Sequence, residues 1–316
     1  MAKIYRLIFT SMLVFLLSSC LSGKKEPQDG ATVGEKTPNV LTSPTATAEP
    51  LPTLPPTPTF TPTVTPVVIL DPEPISIIFT ASDGQELSGL YFPADENPAP
   101  VIVLMHWARG DQTEWENIAY WLQGRGGLIR NPDYNYSWKS SDWFPENTRE
   151  GPLGVFIFTF RECKGACQKY VPGEWLLDVY AALETTVGLE GIDKNKILTA
   201  GASIGADGAV DGCAWLNQSG LGICRGSFAL SPASLLTVPF DDAVSQLTNE
   251  ESPHPVYCLV GLRDDASVET CSNNTDLTFV DYGYIENHGM ELIQPNKDPN
   301  PLELLLEFIG ISLAGE

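Results

Sequence analysis

The sequence of 316 residues is poor in basic side chains, with 18 lysines and arginines against 40 aspartates and glutamates, a formal net charge of −22 at pH 7. Proteins that bind DNA or RNA neutralise phosphates with clustered lysine and arginine. The charge balance therefore excludes nucleic acid as an expected partner. Histidine is scarcer still, with three residues in the whole chain, so few imidazoles are available for catalysis or for binding a metal.

Two chemical motifs are also missing. The sequence has no Cys-x-x-Cys pair, the spacing typical of zinc sites, and no Tyr-x-x-x-Lys pair of the kind that short-chain dehydrogenases use. We therefore expect neither a metal nor a cofactor.

The N-terminal segment has the pattern of an export signal. Lys3 and Arg6 precede a short apolar run, too short to span a membrane as a mature helix. The tetrapeptide LSSC at positions 17–20 resembles a bacterial lipobox. This resemblance implies that residues 1–19 are removed and that Cys20 is lipidated, which would anchor the protein to the lipid bilayer on the extracytoplasmic face. A plain secretory signal with a chance cysteine is the alternative.

The next segment, residues 20–70, has the composition of a tether. Eleven of the 26 prolines lie between positions 38 and 74, and ten threonines lie between positions 37 and 65. Such a mixture buries too little apolar surface to fold, and its prolines favour extended conformations. We predict that it holds a folded domain, residues 71–316, away from the lipid surface.

Within this domain, short apolar runs alternate with segments of helical periodicity, the pattern of an α/β fold with a mainly parallel sheet and helices on both faces. Helical spacing predicts helices around 115–122, 175–187, 204–217 and 302–313, and Thr113 with Glu116 resembles a capping box at the start of the first. Eight strands are predicted, at 75–80, 87–92, 101–105, 155–160, 196–200, 227–230, 256–260 and 277–280.

One stretch, residues 124–154, does not fit this alternation because it is long, polar and lacks periodicity. Insertions of this kind are typically lids or binding loops. Its aromatic side chains either grip substrate or pack the insertion onto the domain, and the sequence leaves both open. These aromatic residues are Tyr134, Tyr136, Trp138, Trp143 and Phe144.

Apart from Cys20, the chain has six cysteines, an even number in a sequence predicted to be exported, which favours three disulfides over free thiols. Six cysteines allow fifteen pairings. Pairing of nearest neighbours gives Cys163–Cys167, Cys213–Cys224 and Cys258–Cys271.

A G-x-S-x-G motif follows the fifth predicted strand and leads into a helix. A serine hydroxyl is a weak nucleophile unless a sharp turn presents it to a base and to donors for the oxyanion. A Cβ at Gly201 or Gly205 would crowd the neighbouring strand and helix, so the glycines fit a tight turn around Ser203. The glycines at 201, 205 and 208 also loosely resemble a nucleotide-binding turn, but five strands precede this turn and a Rossmann fold places it after the first.

The partners that Ser203 needs follow it in the chain. Of the three histidines, His288 comes directly after the last predicted strand, where an imidazole reaches the edge of the sheet. Asp264 follows the seventh strand, and its neighbour Asp265 competes for the same role. We interpret His106 as a structural residue of the turn after the third strand, and His254 as a surface or packing residue.

Four segments together resemble the α/β-hydrolases of the dienelactone hydrolase and carboxylesterase kind: VIVLMHWARG at 101–110, GASIG at 201–205, GLRD at 261–264 and NHG at 287–289. The resemblance implies an α/β-hydrolase fold with Ser203 as nucleophile, His288 as general base and acid, and Asp264 as its orienting carboxylate. It further implies that backbone amides of Ile204 and Ala108 form the oxyanion hole.

The expected function is therefore that of a membrane-anchored serine hydrolase, which cleaves a small-molecule or polymer ester through an acyl-enzyme. A serine peptidase and a polyester depolymerase on the same scaffold are alternatives. So is a non-catalytic lipoprotein that uses the region of Trp138 and Trp143 to hold a ligand.

Overall fold

A computed structural model describes residues 73–125, 136–249 and 253–314. The predicted signal segment, Cys20, the tether and Tyr134 lie outside these described residues. In the described parts of the chain, no helix has the length and apolar character needed to cross a lipid bilayer.

Eight strands form one sheet in the order β1-β2-β4-β3-β5-β6-β7-β8. β1 and β4 each pair antiparallel with β2, and all the other pairs are parallel. The prediction of a mainly parallel eight-stranded sheet is confirmed. The strands are β1 (Ile75–Thr80), β2 (Glu86–Phe92), β3 (Ala99–Met105), β4 (Gly154–Thr159), β5 (Ile192–Ala202), β6 (Cys224–Leu230), β7 (Val256–Val260) and β8 (Thr278–Asp281).

Six α-helices accompany the sheet in the described residues, and four of them were predicted from helical spacing. The two that the sequence analysis missed are the short helices α4 and α5. The helices are α1 (Glu116–Leu122), α2 (Pro172–Val187), α3 (Ile204–Ser219), α4 (Phe240–Thr248), α5 (Asp265–Ser272) and α6 (Pro301–Ala314).

Both faces of the sheet are covered, as the pattern of β3 illustrates. Val101, Val103 and Met105 point into one buried cluster, which includes residues of α2, α3 and α4. Ile102 and Leu104 point into a second cluster on the opposite face, which includes residues of α1 and α6. A strand that is buried on both faces loses the alternation of polar and apolar residues, so its run of apolar residues was recognisable in the sequence.

The capping box predicted at Thr113 is wrong. The carboxylate of Asp111 caps this segment instead, since it accepts hydrogen bonds from the Thr113 backbone N–H (3.0 Å) and hydroxyl (2.7 Å). With its hydroxyl engaged as a donor to Asp111, Thr113 is not the residue that begins the helix. A short 3₁₀ turn over 112–114 comes first, and α1 begins at Glu116.

The described part of the predicted insertion packs against the domain through its aromatic rings. Trp138 is buried and meets Trp107 edge to face, at 5.6 Å between ring centroids. Its indole N–H donates to the carboxylate of Glu114, which also pairs with Lys139 at 2.9 Å. Two 3₁₀ turns, at 137–139 and 141–143, lie in this described part of the insertion. Trp138 therefore serves packing, one of the two roles left open.

The structure contains the three disulfides of the nearest-neighbour pairing. Cys163–Cys167 closes a small loop after β4, Cys213–Cys224 joins α3 to the start of β6, and Cys258–Cys271 joins β7 to α5.

Candidate active site

Ser203 lies at the sharp turn between β5 and α3, with φ 53° and ψ −118°. This left-handed conformation is costly for a residue with a side chain and persists only where the surroundings enforce it. One such restraint is the hydrogen bond from the Ser203 N–H to the carbonyl of Leu230 on β6, at 2.9 Å. The turn places Ser203 at the carboxyl end of β5.

The two glycines of the motif are required by close backbone approach. A Cβ on Gly201 would lie 2.9 Å from the backbone nitrogen of Ala206 and would overlap the carbonyl of Gly205. A Cβ on Gly205 would lie 2.6 Å from the carbonyl oxygen of His106 and would overlap that of Met105. The α3 helix can approach β3 and β5 this closely only because both positions lack side chains, as the sequence analysis expected.

The structure brings Ser203, His288 and Asp264 into one hydrogen-bonded chain. His288 Nε2 lies 2.8 Å from the Ser203 hydroxyl, and His288 Nδ1 lies 2.6 Å from Asp264 Oδ2. Because a carboxylate only accepts, Nδ1 carries the proton and Nε2 accepts from the serine. Asp264, and not its neighbour Asp265 at the start of α5, is the carboxylate that reaches the imidazole.

The environment of Asp264 keeps its carboxyl group ionised. Burial alone would raise its pKa, but the hydrogen bond from His288 leads the contacts that outweigh burial and hold the pKa below its usual value. An ionised carboxylate beside Nδ1 fixes the tautomer of the imidazole and stabilises the imidazolium that forms when Nε2 takes a proton.

Glu291 holds the backbone of His288 and was missed by sequence reasoning. One of its carboxylate oxygens accepts the His288 N–H at 3.2 Å, and the other lies 3.4 Å from the guanidinium of Arg109 in the turn after β3. The spacing of a residue at a helix start and a glutamate three positions later is that of a capping box. This capping-box spacing is the sequence pattern from which the role of Glu291 could have been predicted.

The two amides expected to bind an oxyanion lie at the start of α3 and in the turn after β3. Ile204 is the first residue of α3, and the first N–H groups of a helix have no acceptor within the helix. Ala108 lies in the turn after β3, where the Trp107 carbonyl accepts hydrogen bonds from the His106 imidazole (2.7 Å) and from the Gly110 N–H (3.2 Å).

His106 itself is a structural residue, as interpreted from the sequence. It is fully buried, and its Nε2 accepts the N–H of Phe160 at 3.0 Å, so Nδ1 is the donor to Trp107. Burial lowers the pKa of His106 to about 4. A neutral imidazole thus ties the end of β3 to the end of β4. His254 is buried too, and its N–H donates to the carbonyl of Leu247 at 2.9 Å, which fits the packing role.

A further buried acid, Asp207, stands one helical turn after Ser203. Its carboxylate accepts three backbone N–H groups from the loop after β6, those of Ala233 (3.2 Å), Ser234 (3.1 Å) and Leu235 (2.8 Å). Burial raises the pKa of Asp207 to about 7, against the effect of these hydrogen bonds. The role of Asp207 was not predicted from the sequence, because only the fold brings residues 233–235 to it.

Chemically, the arrangement can move a proton from the Ser203 hydroxyl to His288 while Asp264 stabilises the resulting charge. Ser203 is 5% exposed, so the hydroxyl is sheltered from bulk water. Among the described residues, no group of three or more histidine, cysteine, aspartate or glutamate side chains is placed to bind a metal.

Comparison with known protein families and with curated proteins gives no match. Solved structures do match. The α/β hydrolase GrgF from Penicillium sp. sh18 aligns with a TM-score of 0.54 at 10% identity, over 77% of this chain and 99% of that one. A hyperthermophilic esterase from Pyrobaculum calidifontis aligns with a TM-score of 0.51 at 13% identity, over 77% and 84% of the two chains. Together with the sheet topology, these matches show that the chain has the α/β-hydrolase fold.

Proposed function

We propose that the protein is a serine hydrolase that cleaves carboxylic esters through an acyl-enzyme intermediate. The observation that carries the proposal is the hydrogen-bonded chain from the Ser203 hydroxyl through His288 to Asp264. Its order in the sequence, serine then aspartate then histidine, is that of the α/β-hydrolase triad. Sheet and helices thus supply the three groups at the carboxyl ends of three different strands.

Each group has a defined task in the proposed reaction. Ser203 attacks the ester carbonyl while His288 Nε2 accepts the hydroxyl proton. The N–H groups of Ile204 and Ala108 donate to the oxyanion of the tetrahedral intermediate. His288 then protonates the departing alcohol, and water hydrolyses the acyl-serine with the same imidazole as base. Asp264 keeps its charge throughout and stabilises the imidazolium.

The direct test is labelling and turnover by purified protein. A fluorophosphonate should react with Ser203, identified by mass spectrometry of the modified peptide, and short p-nitrophenyl esters should be hydrolysed. Ser203→Ala should abolish the labelling and lower kcat by about six orders of magnitude. The matched control is Ser219→Ala at the end of α3, which leaves both unchanged. Folded protein that neither reacts nor turns over any ester would favour a ligand-binding role instead.

Substrate profiling distinguishes an esterase from the two alternative enzymes with the same fold, a serine peptidase and a polyester depolymerase. We expect p-nitrophenyl acetate and butyrate to be hydrolysed faster than peptide anilides, because this chain aligns with an esterase from Pyrobaculum calidifontis. Faster hydrolysis of anilides would instead identify a peptidase, and release of soluble acids from a polyester film would identify a depolymerase.

We also propose that the mature protein is lipid-anchored through Cys20 on the extracytoplasmic face of a cell membrane. Support comes from the LSSC tetrapeptide at positions 17–20 and the apolar run before it. An alkyne-bearing palmitate fed to expressing cells should label the wild-type protein and leave Cys20→Ser unlabelled. Secretion of both proteins without any label would point to the plain signal peptide.

A further inference from the structure

Two segments that are far apart in the chain are joined beside Ser203. One is the oxyanion turn, defined here as residues 107–111, which follows β3. The other is the disulfide loop, residues 163–167, which follows β4. The Cys167 N–H donates to the Ala108 carbonyl at 2.8 Å, and the Gly165 N–H donates to Asp111 Oδ2 at 2.8 Å. The disulfide loop therefore presents two backbone donors to the oxyanion turn.

The shape of the disulfide loop sets the direction of these two donors. Cys163 and Cys167 face each other as an isolated antiparallel bridge and are covalently joined. Gly165, at the apex, has a left-handed φ of 74°. Cys163 is buried in the core cluster that also contains β3 and α2, so the cross-link attaches the loop to a fixed part of the domain.

The contacts bear on the direction of one particular group, the N–H of Ala108. Peptide units are planar, so each carbonyl that is held also fixes the N–H on its other side. The unit before Ala108 is held at the Trp107 carbonyl by His106, and the unit after it is held at the Ala108 carbonyl by Cys167. Both peptide units that flank the Ala108 α-carbon are thus restrained. The disulfide loop supplies the restraint on the second unit.

We propose that the disulfide loop is a positioning element for the second oxyanion donor, Ala108, with Cys163, Cys167 and Asp111 as positioning residues. This inference rests on the proposed function, since an oxyanion forms only if Ser203 attacks a carbonyl. Loss of the cross-link frees the Cys167 N–H from the Ala108 carbonyl, so that only the peptide unit before Ala108 remains restrained and the Ala108 amide is held less firmly toward the oxyanion.

The experiment compares two double variants of the purified protein. Cys163→Ser/Cys167→Ser removes the disulfide of the loop, whereas Cys213→Ser/Cys224→Ser removes the disulfide between α3 and the opposite end of β6 and is the matched control. Removal of one oxyanion donor lowers kcat by about 100- to 1000-fold. We expect the first variant to lose at least about tenfold in kcat with little change in KM, and the control to keep wild-type kcat even where its Tm falls.

Asp111→Asn provides a second variant that keeps the disulfide. Asp111 uses one oxygen for Thr113 and the other for Gly165, and asparagine has only one acceptor oxygen, so the cap on Thr113 survives while the loop contact is lost. A trifluoromethyl ketone adds to an active serine and forms an oxyanion. Its inhibition constant should rise by the same factor as kcat falls in both loop variants.

The outcomes separate this inference from the proposed function. Wild-type protein that hydrolyses no ester overturns the proposed function. Active wild type, with kcat and inhibition constants unchanged in both loop variants, overturns the positioning role and leaves the serine hydrolase intact. An equal loss of kcat in the Cys213→Ser/Cys224→Ser control also overturns it, because the effect would then follow from general loosening.

Discussion

Asp264 Oδ2 lies 2.6 Å from His288 Nδ1, although the two residues stand 24 positions apart in the chain. Asp264 comes from the end of β7 and His288 from the loop after β8, and these two strands pair in parallel. Parallel pairing brings the carboxyl ends of both strands to the same edge of the sheet. The contact between Asp264 and His288 therefore follows from the sheet topology. Substitution of Asp264 and of its neighbour Asp265 tests which of the two carboxylates acts with His288.

Asp264→Asn should lower kcat/KM for ester hydrolysis by about three to four orders of magnitude, because asparagine donates where the carboxylate accepts and so selects the wrong tautomer of His288. Asp265→Asn is the control, as Asp265 lies on α5 and does not contact the imidazole. We expect it to stay within about twofold of wild type. Equal losses in both variants would contradict the assignment, and steady-state kinetics on p-nitrophenyl acetate measures them.

Gly205→Ala should disrupt the turn at Ser203, since the new methyl group would meet the carbonyl oxygens of Met105 and His106. Both are backbone atoms at the buried end of β3, where a shift would disturb the strand. We expect a loss of about 1–3 kcal/mol in the free energy of unfolding and at least about 100-fold in kcat/KM.

The matched substitution is Gly310→Ala on α6, where a Cβ meets no atom within 4 Å. It should leave activity unchanged and stabilise the helix by up to about 1 kcal/mol. Urea denaturation and ester kinetics on both proteins make the comparison. Equal stability of the two variants would show that the close approach at Gly205 is not required.

Asp211 gives stability an unusual dependence on pH. It is 2% exposed, and within the described part of the chain neither of its carboxyl oxygens has a hydrogen-bond partner. Burial raises its pKa to about 8, and the nearby Asp207 adds to the effect. Between pH 5 and pH 8 the carboxyl group of Asp211 is ionised in the unfolded chain and protonated in the folded chain. The contribution of Asp211 to stability therefore falls as pH rises, by about 1.4 kcal/mol per pH unit.

Asp211→Asn cannot titrate, so its free energy of unfolding should fall less between pH 5 and pH 8 than that of wild type, by a difference of about 4 kcal/mol. Chemical denaturation at several pH values measures the two slopes. Asp241→Asn, an exposed position at the start of α4, should keep the wild-type slope. A wild-type slope in Asp211→Asn as well would mean that Asp211 is already ionised in the folded protein.

Trp138→Ala tests the packing of the segment after residue 135. The side chain is buried against Trp107 and donates to Glu114, so its removal should cost about 3–5 kcal/mol in the free energy of unfolding. Tyr136→Ala removes a neighbouring ring that is 43% exposed and should cost less than about 1 kcal/mol. Urea denaturation distinguishes the two. A small cost for both would mean that Trp138 is held loosely and is free for another role.

Much of the fold was predictable because the central strands are buried on both faces. The run at 256–260 coincides with β7, in which every residue is buried. The run at 75–80 coincides with β1, an edge strand that is largely exposed. Because the strands were predicted, Ser203, Asp264 and His288 could be placed after strand ends. The chain has only three histidines, so few residues could serve as the base. Their catalytic roles remain predictions until the variants above are measured.

The missed features depend on short elements or on contacts between distant segments. Phe240, Ala243, Val244 and Leu247 in α4 do have helical spacing, but nine residues are too few for the pattern to stand out. In α5 only Ser267 and Cys271 are buried, so the periodic signal is almost absent. The bond from Phe160 to His106 spans 54 positions and exists only once β3 and β4 are side by side.

The three hydrogen bonds from residues 233–235 to Asp207 also constrain how this protein can diversify. They fasten the loop after β6 to the first turn of the helix that begins beside Ser203. Any insertion, deletion or shift in that loop would strip a buried carboxylate of its donors and disturb the serine at the same time. Changes of substrate preference, whether by evolution or by engineering, are therefore better tolerated in segments that donate no hydrogen bond to Asp207.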